Sequence, residues 1–292
     1  MNSKTGTLTA AVRSRAELQQ QVRAWRQAGE TIGFVPTMGA LHGGHLSLVK
    51  TAATHATKVV ASIFVNPTQF APGEDFDTYP RDESADRAKL DSVGCDLVYL
   101  PAVEEMYPDG TRTNVRVEQM SDLLDGIYRP HFFYGVATVV ARLFLHVQPD
   151  VAVFGEKDYQ QLQIIRRMVR DLGFPIEILG GRTTRDPDGL AQSSRNLYLT
   201  PEERRSAGAL QAALHRASVR LSLGAKPAEV LSEARDLIMA SGFREMNYVS
   251  LVDPDTLEDL PDAALPEGTV ARLLGAAWLG KTRLIDNISV TR

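Results

Sequence analysis

The chain has 292 residues, of which 43% are hydrophobic and 23% charged, with a formal net charge of −4 at pH 7. That is soluble-globular usage, enough for one large core or two smaller ones. There is no large basic field for nucleic acid and no apolar stretch long enough to span a bilayer, and the single cysteine, Cys95, excludes an intrachain disulfide or a cysteine-rich metal site.

Met1 to Thr5 lack the apolar core of a signal peptide, so a cytoplasmic enzyme is expected. Ser14 and Glu17 have capping-box spacing and Gly29 can end a helix, which predicts a helix over 14–28. A short strand follows over 31–35, then a helix from Leu46 packed by one face through Leu48, Val49, Ala52 and Ala53. Residues 58–65 are β-branched and apolar almost throughout, the pattern of a strand buried on both faces of a parallel sheet. Residues 66–80 form a loop rich in Pro, Gly and Asp, 82–93 a helix and 96–100 a strand. Helix 136–147, strand 151–154, helix 159–172 and strand 176–179 continue the alternation, and 180–195 is polar and irregular. After Thr200-Pro201 two helices, 202–223 and 228–240, precede three strands, 247–252, 270–277 and 282–289. The fold class expected is α/β: a Rossmann-like doubly wound parallel sheet followed by a smaller α+β C-terminal domain. The boundary falls near 181–186, giving domains 1–183 and 184–292.

Four runs carry candidate chemistry. In the first, strand residues Phe34 and Val35 lead through Pro36-Thr37-Met38-Gly39-Ala40-Leu41 into His42-Gly43-Gly44-His45. Strand, glycine turn and helix start present backbone N–H groups to a phosphate, and a helix beginning near Gly43 puts both imidazoles on one side of its positive end. Zinc fits less well, since it needs three or four ligands. On this run alone, phosphate binding and a chance pair of surface histidines stand level. The second run ends a buried strand at Asn66-Pro67-Thr68-Gln69, where Asn66 and Gln69 suit a polar substrate beyond the strand's carboxyl end. Ordinary Asn-Pro turn chemistry explains that spacing slightly better. The third, Gly155-Glu156-Lys157-Asp158-Tyr159-Gln160-Gln161, repeats strand, glycine and polar helix start. Lys157 suits a phosphate, and Asp158 suits a helix cap or a water-mediated magnesium ion. The fourth, Gln192-Ser193-Ser194-Arg195, suits a mobile phosphate clamp, although alone it reads as a serine-rich loop. Arg129, in Arg129-Pro130-His131-Phe132, is a weaker candidate for a carboxylate or phosphate.

Together, and with Thr282-Arg283-Leu284-Ile285-Asp286-Asn287, these runs resemble the pantothenate synthetase (pantoate–β-alanine ligase) family in order and spacing over nearly the whole chain. His-x-Gly-His alone marks only the wider nucleotidyltransferase-like superfamily. The resemblance implies ATP-dependent condensation of pantoate with β-alanine through a pantoyl-adenylate, releasing pyrophosphate and AMP. It implies Mg2+, a cytoplasmic homodimer and a C-terminal lid, with no membrane or nucleic-acid partner. By position it implies Met38, Gly39, Ala40, Leu41, His42, Gly43, Gly44, His45, Gly155, Glu156, Lys157, Asp158, Thr184, Gln192, Ser193, Ser194 and Arg195 for ATP. His45, His42 and Lys157 would be catalytic, and Gln69, Gln161, Asn66 and Arg129 would serve pantoate and β-alanine; no motif assigns a direct metal ligand. Two departures stand out: His131 lies one position early, with Phe132 in the family's histidine place, so no role passes to His131, and Gln192 replaces a more usual methionine. A rival nucleotidyltransferase would lack the Gln69 and Gln161 runs, and a non-catalytic nucleotide-binding scaffold would have lost Lys157 or His45.

Overall fold

The computed structural model describes residues 8–71 and 73–292, so the reading of Met1 to Thr5, and Pro72 within the expected 66–80 loop, lie outside the described residues. The chain opens with β1 (Ala10–Val12), a three-residue strand that the sequence pattern does not announce, and α1 (Arg15–Gln27), where Ser14 and Glu17 make the expected reciprocal capping box. β2 (Ile32–Thr37), α2 (Gly43–His55) and β3 (Lys58–Ile63) follow as anticipated, with a 3-10 turn at Pro67–Gln69 inside the next loop. α3 (Glu83–Ser92), capped by the Asp82 carboxylate, leads to β4 (Leu97–Tyr99). Two one-turn helices, α4 (Val103–Met106) and α5 (Asp125–Tyr128), precede α6 (Phe132–Val147). β5 (Val151–Gly155), α7 (Tyr159–Leu172) and β6 (Glu177–Gly181) match the alternation read from sequence.

The helix expected over 202–223 is instead two, α8 (Pro201–Ser206) and α9 (Ala209–Ser222). They part at Ala207-Gly208, where the backbone comes so near the Asp188 carbonyl that a Cβ on residue 208 would lie 2.6 Å from it. α10 (Pro227–Ala240), β7 (Glu245–Val252), β8 (Val270–Leu279) and β9 (Thr282–Thr291) complete the chain.

The chain forms two compact units. One holds the described residues up to Ser121 with Arg129–Glu156 and Ile164–Arg182; the other holds Asp122–Tyr128, Lys157–Gln163 and Thr183–Arg292. The first unit carries an all-parallel six-stranded sheet of order β1-β4-β3-β2-β5-β6. From β2 the chain steps outward through β3 to β4, then returns to lay β5 on the other flank of β2. The carboxyl ends of β2 and β5 therefore form the topological switch point, where open α/β sheets bind ligands. Both sheet faces are covered: Val35, Leu48, Val49, Ala61, Leu90 and Val98 pack on one, and Phe144 meets Phe34, Phe154 and Phe174 edge-on in another cluster.

The second unit has an antiparallel sheet, β7-β8-β9, whose Leu273, Leu284 and Val290 pack with Leu210, Leu214 and Leu221 of α9 and Val230 and Ile238 of α10. Its earlier segments are fixed to it by polar bonds. Tyr248 Oη and Arg283 Nη2 each donate to the Asp125 carboxylate at 2.7 Å, and Asn287 Nδ2 donates to the Lys157 carbonyl at 2.9 Å. Among the described residues no helix is long and apolar enough to cross a membrane.

Candidate active site

The turn after β2 is built around a buried carboxylate. Gly39 (φ 87°) and Ala40 (φ 50°) both take left-handed backbone, free for glycine and costly for alanine. Asp86, on α3 and 2% exposed, accepts the Ala40 and Leu41 N–H groups at 2.8 Å each, which holds the turn in that conformation. Lys89 Nζ donates to the Leu41 carbonyl at 2.8 Å, and Thr37 Oγ1 accepts the Gly39 N–H at 3.2 Å. Asp86 and Lys89 carry no signal in the sequence, where they look like ordinary polar residues of an amphipathic helix.

The turn delivers His42 to the N-cap of α2 and His45 to its first turn. The two histidines form a reciprocal capping box: His42 Nδ1 accepts the Gly44 N–H at 3.2 Å, and His45 Nδ1 accepts the His42 N–H at 3.4 Å. A ring nitrogen that accepts from a backbone N–H carries no proton, so each neutral ring bears its hydrogen on Nε2. The helix start thus fixes two imidazoles, ring centroids 4.1 Å apart, as Nε2–H donors.

At the end of β3, Asn66 caps the 3-10 turn that Pro67 opens. Gln69 Nε2 reaches Met38 Sδ at 2.9 Å, so Met38, Asn66 and Gln69 come together across neighbouring strand ends. Gly135 lets α6 approach this turn: its carbonyl accepts from Asn66 Nδ2 at 3.1 Å, and a Cβ there would sit 2.5 Å from the Thr68 carbonyl oxygen. Arg129 is engaged. Its guanidinium makes two bonds to Glu74, of 2.8 and 2.7 Å, and lies 3.6 Å from the Phe132 ring centroid. Phe132 thereby serves as a platform for Arg129. Gly155 ends β5 opposite Gly181, and Glu156 follows it.

The remaining sequence-selected residues lie on the second unit. Lys157 Nζ is 3.7 Å from the Asp158 carboxylate, and Lys157 lines a small cavity with Ser193, Asn196, Gln211, Arg283 and Asp286. Of the two glutamines in the third run, Gln160 is engaged in structure, donating to the Leu123 carbonyl at 2.7 Å, while Gln161 is half-buried on the first turn of α7. The Thr184 carbonyl accepts the Gln192 N–H at 2.9 Å, and Gln192 Nε2 donates to Asp186 at 3.0 Å. Arg185, bridged to Ala191, pairs with Asp286 through bonds of 2.6 and 2.8 Å. Ser193 Oγ accepts the Arg195 N–H at 3.3 Å and caps the 3-10 segment Ser194–Tyr198.

A family model described as pantoate-beta-alanine ligase matches residues 10–289. The pantothenate synthetase of Hyphomonas neptunium is 71% identical, with 100% of each chain covered. The crystal structure of pantothenate synthetase from Thermus thermophilus superposes with a TM-score of 0.91 at 48% identity, over 97% of this chain and 100% of that one. The pantoate-beta-alanine ligase of Francisella tularensis, complexed with beta-gamma ATP and beta-alanine, has a TM-score of 0.80 at 32% identity, over 96% of this chain and 97% of that one.

Proposed function

Because the chain belongs to the pantoate-beta-alanine ligase family, we propose that it joins pantoate to β-alanine at the expense of ATP through a pantoyl-adenylate. A carboxylate is a poor electrophile. Attack of a pantoate carboxylate oxygen on the α-phosphorus of ATP expels pyrophosphate and leaves a mixed anhydride with AMP. The β-alanine amine then adds to the activated carbonyl carbon and loses a proton, and AMP departs as the amide forms. The anhydride survives only where water is kept away.

The single observation that carries this reading is the pair of Nε2–H donors fixed by the capping box of His42 and His45 at the switch-point end of the sheet. Donors held in place before reaction stabilise charge developing on a phosphorus centre without reorganising. We assign the charge stabilisation to His42, His45 and Lys157, with the His45 Nε2–H given to the phosphate as a hydrogen bond. ATP contacts are assigned to Met38 through His45, Gly155 through Asp158, Thr184, and Gln192 through Arg195. Pantoate is assigned to Gln69 and Gln161, and the second substrate to the neighbourhood of Asn66 and Arg129; Arg129 must then exchange Glu74 for a substrate carboxylate. The Francisella complex with beta-gamma ATP and beta-alanine supports ATP and β-alanine as substrates here.

Mg2+ is proposed to enter with the triphosphate. Magnesium keeps several waters and takes one or two carboxylates beside the phosphates, so it needs no cluster of three protein ligands, and among the described residues there is none. The Asp158 carboxylate beside Lys157 fits that mode. When bound, the ion offsets phosphate charge as pyrophosphate leaves. Domains 1–183 for nucleotide and pantoate and 184–292 as a lid, a cytoplasmic location and a homodimer complete the proposal, and sedimentation of a monomer at micromolar concentration overturns the last.

The decisive assay is exchange of labelled pyrophosphate into ATP with pantoate as the only carboxylate. Pantoate-dependent exchange is expected without β-alanine. Its absence in folded protein supplied with magnesium overturns the adenylate mechanism.

A further inference from the structure

We infer that Tyr107 is a positioning residue that acts through Asn66 to lock the Gln69 amide with its NH2 end, not its carbonyl, presented to substrate. The inference rests on the assignment of Gln69 to pantoate and adds to it a polarity and two supporting side chains.

The orientation of Asn66 is set by groups that have no choice of role. The Thr68 backbone N–H, 3.3 Å from Asn66 Oδ1, can only donate. The Gly135 carbonyl, 3.1 Å from Asn66 Nδ2, can only accept. The oxygen of Asn66 therefore faces Thr68 and the nitrogen faces Gly135. Tyr107 Oη at 2.8 Å and Thr68 Oγ1 at 3.0 Å donate to the same Asn66 oxygen. The remaining Asn66 N–H donates to Gln69 at 3.2 Å, and the Gln69 atom that receives it has to be Oε1. With its oxygen turned to Asn66, Gln69 points its NH2 group away from that side chain, and Met38 Sδ, a weak acceptor, meets one of its two hydrogens.

Asn66 is 1% exposed and both its hydrogens and its oxygen are used within the chain, so its fixed orientation passes directly to Gln69. Tyr107 is itself held. Its ring packs against Phe64 and lies 5.2 Å from the Arg142 guanidinium, which donates to the Met106 carbonyl. Burial raises its pKa, so it remains a phenol and a donor at neutral pH. An amide locked as a donor matches the carboxylate or hydroxyl lone pairs of pantoate. Freed, it turns over at little cost and offers an oxygen that repels them.

The test measures KM for pantoate and for ATP separately, by pyrophosphate exchange, in the intact enzyme. Tyr107→Phe is expected to raise the pantoate KM about three- to tenfold, the loss of one hydrogen bond's worth of orientation, with the ATP KM within about twofold. In a Gln69→Ala background the same substitution adds nothing, because the route through Gln69 is already gone. Where exchange is too slow to saturate, kcat/KM from the linear range serves for the cycle. An unchanged pantoate KM in Tyr107→Phe, a parallel rise in both KM values, or additivity in the double variant overturns the inference. Asn66→Asp, equal in shape but without donor hydrogens, decides the matter if Tyr107→Phe does not fold: the pantoate KM rises while the ATP KM holds, or the inference fails. If Gln69→Ala leaves the pantoate KM untouched, the pantoate assignment of Gln69 falls and the inference with it. If Gln69→Ala raises it and Tyr107→Phe does not, only the inference falls.

Discussion

His42 and His45 are held by their own helix before any ligand arrives. Each ring gives its Nδ1 to a backbone N–H that the first turn of a helix would otherwise leave unsatisfied. One pair of bonds therefore caps the helix and chooses the tautomer, which is why the residue type at these two places matters more than its charge. His45→Ala removes one Nε2–H donor and one weak cap bond. The expected loss in pantoate-dependent pyrophosphate exchange is about 100- to 1,000-fold, the usual effect of deleting a preorganised donor. The cap itself costs only about 1 kcal/mol, so the variant should melt within a few degrees of wild type. Undiminished exchange in the folded variant removes His45 from the mechanism. The histidines were legible in the sequence because glycine, histidine and spacing sit within a few residues. Asp86 and Tyr107 were not, because the bonds that give them meaning span 46 and 41 positions.

At the scale of elements, the alternation of strands and helices was readable wherever apolar runs were long and central, as in β3 and α7. β1 escaped because three residues, Ala-Ala-Val, at the edge of a sheet carry almost no pattern. α6 begins at Phe132 rather than near 136, directly after His131 in left-handed backbone. The packing of that helix against β4 includes a polar contact with a pH consequence. His146 of α6 is buried with Nδ1 2.9 Å from Tyr99 Oη of β4, and Arg15, Glu105 and Arg142 also act on it. Burial, reinforced by the charge of Arg15, lowers its pKa from 6.5 to about 4. The unfolded chain therefore takes up the proton first as pH falls. Stability is full above pH 6.5, declines between 6.5 and about 4, and levels off below, a total contribution of up to about 3 kcal/mol. His146→Gln keeps a polar partner for Tyr99 but cannot titrate. Urea unfolding across that pH range should show wild type losing stability faster than the variant, and parallel curves would exclude His146 as the acid-sensitive group.

On the scale of the whole chain, the least legible feature is that the second unit is discontinuous. It gathers Asp122–Tyr128 and Lys157–Gln163 with Thr183–Arg292. No local periodicity announces this, because the bond from Arg283 to Asp125 spans 158 positions and ion pairs of that range leave no trace in composition. Inside the second unit the Asp125 carboxylate is 10% exposed and the Arg283 side chain 12%. Tyr248, buried beside that carboxylate, has its phenol pushed well above its usual pKa by desolvation and by the neighbouring negative charge, so it donates and never competes as an anion. Arg283 also donates to Asn247 Oδ1 at 2.7 Å, and Asp125 N–H to Gln160 Oε1 at 3.0 Å. Removing one member of such a buried pair leaves an uncompensated charge, which costs more than the pair itself contributes. Asp125→Ala should therefore lower the stability of this unit by about 3–5 kcal/mol, whereas Tyr248→Phe, which deletes a single donor, should cost about 1 kcal/mol. The two tryptophans make the measurement specific: Trp25 is on α1 and Trp278 on β8. In a Trp25→Phe background the fluorescence of Trp278 reports the second unit alone during urea unfolding. A cost below about 1 kcal/mol for Asp125→Ala would mean that Arg283 finds solvent or another acceptor when the carboxylate is gone, and that the early segment is held chiefly by the two bonds of Gln160 to the Leu123 carbonyl and the Asp125 N–H instead.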